Sequence, residues 1–92
     1  MIRFEWDEVK RLANIRSHGI DFADLRELFE SESYIRIDDR FDYDEIRLLT
    51  IGMANGRILS VSHTENDGLI RIISARKAQK HEQEIYFSRV RD

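Results

Sequence analysis

Three groups of residues have types and spacings that could do chemistry. Lys10, Asn14 and His18 recur every fourth residue, so on a helix they stack along one stripe. A base, an amide and an imidazole in one row could grip a phosphate and move a proton. The same row could equally be a solvated stripe, with His18 a cation favoured at the helix C-terminus. His63, Glu65 and Arg71 flank the reversal Asn66-Asp67-Gly68. Pairing across that hairpin brings Arg71 near His63 or Thr64, depending on register. This could place an acid/base pair beside an anion clamp, or only a cross-strand Glu65–Arg71 ion pair. Ser74-Ala75-Arg76-Lys77 reads as the passage from a strand into a helix, where cations oppose the helix dipole. A phosphate bound there would relieve the conflict, and so would an acid such as Glu82 or Glu5.

No Gly-rich phosphate loop, paired-carboxylate metal motif or Ser/Cys nucleophile motif is present. There is no cysteine, and His18, His63 and His81 show no metal-ligand spacing, so neither a metal nor a cofactor is expected. What remains is cations for anions and histidines or glutamates for protons. That inventory suits metal-independent RNA cleavage. A base takes the 2′-hydroxyl proton, the 2′-oxygen attacks the adjacent phosphorus, cations stabilise the added charge, and an acid protonates the leaving 5′-oxygen. It equally suits a module that only binds phosphates.

The elements that must position these groups are legible in outline. Ninety-two residues suffice for one domain, spanning 1–92, with a modest core. Ile2-Arg3-Phe4-Glu5 alternates as a short edge strand. Asp7 caps a helix over Glu8–His18 that Gly19 ends, and Asp21 caps a second over Phe22–Glu30. Ile20 and Leu25 fit a hydrophobic staple around that second cap. The period then becomes alternating: strands are expected over Tyr34–Ile37, Ile46–Met53, Arg57–Thr64 and Leu69–Ser74, with turns at Asn55-Gly56 and Asn66-Asp67-Gly68. A third helix is expected from about Arg76 to Val90. The layout is α+β, β-α-α-β-β-β-β-α, a mainly antiparallel sheet packed by helices.

Charge is uneven. Residues 21–45 hold ten acids against three arginines, a local −7 in a chain of net −3, while both ends are mildly basic. Such asymmetry allows an anion on one face and a basic partner on another. No apolar run approaches membrane-spanning length and the first residues do not read as a signal sequence, so a soluble cytoplasmic protein is expected.

The assembled motifs resemble the BrnT family of type II toxins. The resemblance rests on Phe4-Glu5-Trp6-Asp7 with Lys10, Asn14, His18-Gly19 and Phe22, on Arg47 and Gly52, and on Gly56-Arg57 leading to His63-Thr64-Glu65. Its most specific block is Arg71-Ile72-Ile73-Ser74-Ala75-Arg76-Lys77-Ala78 followed by Glu82 and Tyr86. Glu8 stands where that family often has proline, and Ser17 where a basic residue usually precedes the His-Gly pair. The resemblance implies a RelE-like fold, metal-free RNA cleavage that halts translation, and a hetero-oligomer with a BrnA antitoxin carrying a ribbon-helix-helix DNA-binding domain. On this reading Lys10, Arg71 and Arg76 clamp phosphate, helped by Asn14 and Lys77. His18, His63 and Glu65 move protons, and Tyr86 positions the substrate. Asp38, Asp39 and Asp42 are where a basic antitoxin surface is expected. The competing class is a non-catalytic module, a decayed toxin that still holds RNA or antitoxin. The two halves of the site make one only if Arg71 or Arg76 lies near Lys10 or His18.

Overall fold

The computed structural model describes residues 2–38 and 45–90; Asp39 and Asp42 of the expected docking segment lie outside them. Helix α1, Glu8–His18, begins where the Asp7 carboxylate accepts from the amides of Val9 (2.8 Å) and Lys10 (3.4 Å). It ends at Gly19, whose φ of 69° is left-handed and whose N–H closes on the Ile15 carbonyl. Asp21 caps the next element through the Ala23 amide and takes the Arg11 guanidinium at 3.0 Å. These bonds, the backbone amide first, hold its carboxyl below the ordinary range despite partial burial.

The expected helix Phe22–Glu30 is instead a 3₁₀ turn, Phe22–Asp24, followed by α2, Arg26–Glu30. Phe22, Leu25 and Leu28 are three apart and almost wholly buried. The 3₁₀ turn sets Phe22 above Leu25, and α2 carries the row on to Leu28. Ile20 and Leu25 are both buried, as a staple requires.

The strands are β1, Arg3–Trp6; β2, Tyr34–Ile37; β3, Leu48–Ala54; β4, Arg57–Asn66; and β5, Leu69–Lys77. Asn55-Gly56 and Asp67-Gly68 turn with both residues of each pair at positive φ, the geometry that matches strand twist. The sheet order is β1-β5-β4-β3-β2. β1 runs parallel to β5, with Arg3 opposite Leu69 and Trp6 opposite Ile72; the other pairs are antiparallel.

One face of the sheet holds the main core: Phe22, Leu25 and Leu28 pack on Leu59, Val61, Ile70, Ile72 and Ala75, with Phe4, Trp6 and Phe29 at the margin. α2 approaches β3 so closely that a Cβ on Gly52 would sit 2.9 Å from Leu28 Cγ, so the strand needs glycine there. The other face packs α3, Lys80–Arg89, through Tyr86 onto Ile51, Ile58 and Ala78.

Arg76 and Lys77 are not at a helix N-terminus as expected. They pair with Ser60 and Leu59 inside β5, and α3 starts three residues later. The reason is Glu82, which closes a capping box with Gln79 and takes Arg76 in a two-pronged ion pair at 2.8 and 2.9 Å. Glu82 is 1% exposed. Burial alone would push its carboxyl up, but the bonds from Arg76 and the Gln79 amide, with the charges of Arg76 and His81, bring it below the ordinary range.

Candidate functional site at the edge of strand β5

β1 covers the outer edge of β5 only as far as Ile72. Beyond it the edge is taken by α1, through one side chain. Asn14 accepts from the Ala75 amide at 3.1 Å and donates to the Ala75 carbonyl at 2.9 Å, as a neighbouring strand would. Its second amide hydrogen reaches the Ile20 carbonyl at 2.9 Å. Asn14 is 6% exposed, and both of its amide hydrogens are engaged. It therefore fastens α1 to β5, and it also lines the cleft that opens beside it.

Fastening Asn14 places its stripe-mates four residues to either side. Lys10 and His18, both exposed, line an open cleft of about 210 Å³ with Ala13, Ser17, Ile73 and Ser74. The floor of the cleft is an irregularity of β5. Ser62 pairs with Ser74, but His63 pairs with Ile72, so Ile73 is an extra residue, a bulge. The bulge shifts the side-chain phase. Ile70, Ile72 and Ala75 all enter the main core, although 72 and 75 would face opposite ways in a regular strand. By the same shift Arg71, Ser74 and Arg76 share the other face, although five residues separate the arginines. Ser74 in the cleft is thus flanked on one face by both arginines, Arg76 about 7 Å along the strand.

Neither arginine is idle. Arg71 Nη1 donates to Glu5 at 2.9 Å, an ion pair about half exposed on both sides. Thr64 is its partner in register. Arg76 is committed to Glu82, but its side chain remains 28% exposed.

Four expected site residues do not join this cluster. His63 is 1% exposed and packs edge-on to Phe29 at 5.0 Å. Its Nε2 is 2.6 Å from Thr50 Oγ1 and its Nδ1 3.3 Å from the Thr64 carbonyl, so a neutral ring protonated at Nδ1 satisfies both. Burial pushes its pKa down, against the Thr64 carbonyl and the charge of Glu65. It lies in the core with both ring nitrogens engaged, away from the cleft residues. Tyr86 is 2% exposed, packed from α3 onto the sheet, and is not among the residues that line the cleft. Glu65 and Lys77 are exposed, but strand alternation from His63 and Ala75 places both on the face opposite the arginines. Arg71 pairs with Glu5 instead of Glu65 because the parallel β1–β5 register sets Glu5 beside it.

Sequence reasoning missed Ser17 and Ser74 as neighbours of the site, and offered Glu5 as a partner for Arg76 where the structure pairs it with Arg71. The signal for the bulge was present: Ile70, Ile72 and Ala75 are the apolar core positions of β5, and their spacing breaks the period of two. The β1–β5 pairing had no local signal.

Comparison with known proteins decides the family. The family model for BrnT, the ribonuclease toxin of type II toxin–antitoxin systems, matches residues 6–82. The chain belongs to the BrnT family. The 1.1 Å crystal structure of the Brucella abortus ribonuclease toxin BrnT is similar at 36% sequence identity and a TM-score of 0.68, covering 87% of this chain and 100% of that one. No curated protein matches. The BrnT match includes every cleft residue from Lys10 to Ser74 and both arginines. Membership in a type II system implies an antitoxin partner. No helix among the described residues is long and apolar enough to cross a membrane.

Proposed function

We propose that the chain is a ribonuclease toxin that cleaves RNA at the α1–β5 cleft without a metal ion, with a RelE-like arrangement of sheet and helices. The observation that carries the reading is the convergence on one open cleft of Lys10 and His18, with Arg71 and Arg76 on the sheet face that forms its floor. Lys10 binds the scissile phosphate and stabilises the charge that develops on its oxygens. His18, the exposed imidazole of the cleft, transfers a proton at the 2′-hydroxyl or the leaving 5′-oxygen. Ser17 and Ser74 offer hydroxyls to the same phosphate. Arg71 and the exposed part of Arg76 hold the flanking backbone, Arg71 leaving Glu5 for phosphate as RNA seats. The attack of the 2′-oxygen breaks the P–O5′ bond and leaves a 2′,3′-cyclic phosphate and a free 5′-hydroxyl. Cleavage of translated RNA halts protein synthesis in the cytoplasm, and a BrnA-type antitoxin with a ribbon-helix-helix domain neutralises the toxin.

The test is purified protein with end-labelled RNA in excess EDTA, with product termini read by mass. Turnover to 2′,3′-cyclic phosphate ends is expected. Binding without turnover would overturn this reading in favour of a non-catalytic module, which the half-exposed arginines also fit.

A further inference from the structure

At the other edge of the sheet, three strands from β5, lies β2. Asp38 donates its N–H to the Arg47 carbonyl at 2.8 Å, which fixes the alternation of the β2–β3 ladder. Tyr34 and Arg36 therefore point their main-chain groups inward at β3. Ile35 and Ile37 point theirs outward, and among the described residues no strand lies there. The same two residues expose their side chains, Ile35 by 54% and Ile37 by 63%. Ile46, just before β3, is 69% exposed. Edge strands of monomeric proteins are ordinarily blunted by charge, proline or a bulge. This one is short and carries the exposed Arg36, but it has isoleucine at both positions whose main chain points outward. The acidic docking surface expected at Asp38 is a different matter: that side chain is 7% exposed.

We propose that the β2 edge is the seat of the antitoxin, and that the antitoxin adds an extended segment there as a sixth strand. Two outward N–H and two outward C=O groups supply main-chain bonds, and Ile35 and Ile37 receive apolar side chains at alternate positions of the incoming strand. The charge of the surroundings selects the segment. β2 lies in the stretch of net −7, with Glu30, Glu32 and Glu45 exposed nearby in sequence, so the incoming strand is flanked by lysine or arginine. Family membership supplies the existence of the partner; the surface follows from the ladder. The contact is about 14 Å across the sheet from β5, so it tethers the antitoxin without occupying the cleft.

The experiment uses the co-encoded antitoxin, the full chain, and the variants Ile35→Lys and Ile37→Lys, with Val9→Lys, exposed by 73% on α1, as a control. Affinity is expected to fall 100-fold or more for the two β2 variants at unchanged melting temperature, and to hold for Val9→Lys. Hydrogen exchange at the Ile35 and Ile37 amides is expected to slow on binding. Unchanged affinity of both β2 variants, or no protection of those amides, overturns the proposal. So does a dimer of the chain alone that Ile37→Lys dissociates, because the edge would then serve a second copy. Affinity and exchange are read without RNA turnover, so failure of the ribonuclease reading leaves this outcome separate.

Discussion

At the scale of single residues, exposure and partners separate chemistry from architecture, and sequence does not display either. His63 has the residue type of a proton carrier but lies 1% exposed with Thr50 on its Nε2. Its consequence is for stability. Its folded pKa lies below the ordinary histidine value of about 6.5, so the unfolded chain binds the proton first. The stability it contributes is full above that pH and is lost as pH falls through about 6.5 toward the folded pKa. Urea unfolding between pH 7.5 and 5 should show stability falling as pH drops through about 6.5, with the fall flattened in His63→Gln. Arg76 is the second case. It was legible as a candidate anion-binding group, and in the structure it neutralises the buried Glu82. Arg76→Ala leaves that carboxylate unpaired and should cost roughly 3 kcal/mol, while Arg76→Met with Glu82→Leu should recover much of it, read by denaturant unfolding. Loss of toxicity in Arg76→Ala therefore reports unfolding as well as binding, and Lys10 is the cleaner probe of the clamp.

At the scale of elements, the parts set by local chemistry were legible. Asp7 and Gly19 bound α1, and Asn55-Gly56 and Asp67-Gly68 turn the hairpins where their residue types require. The parts set by distant contacts were not. The parallel β1–β5 pairing joins segments more than sixty residues apart, and the length of β5 is decided by Glu82, which lies beyond it. The bulge at Ile73 was visible only as a broken apolar period, yet it determines that Arg71 and Arg76 share a face. Asn14 shows how an element is held by a single side chain. Asn14→Leu keeps the branched shape and removes three bonds, leaving the Ala75 amide and the Ile20 and Ala75 carbonyls without it. The expected cost is about 2–3 kcal/mol. Native-state hydrogen exchange should then show α1 opening before the β3–β4–β5 sheet, and equal protection of α1 in the variant would contradict the fastener role.

At the scale of the whole molecule, the sheet order places the proposed cleft and the proposed docking edge on opposite sides. The cleft lies where β1 stops short and α1 takes over the edge of β5; the isoleucine edge of β2 lies at the far side. The charge map allows such a division, an anion on one face and a basic partner on another, but only the ladder shows which backbone groups of β2 point outward. The central claim is that the cleft between α1 and the β5 bulge is where RNA is cut. The measurement that tests it most directly is kcat/KM for RNA cleavage by wild type, Lys10→Ala and His18→Ala at one pH in excess EDTA, with melting temperatures taken on the same samples. Both side chains are exposed, so melting temperatures should hold while each variant loses about 10²–10⁴-fold in kcat/KM. Wild-type rates in both folded variants would contradict the assignment of the site.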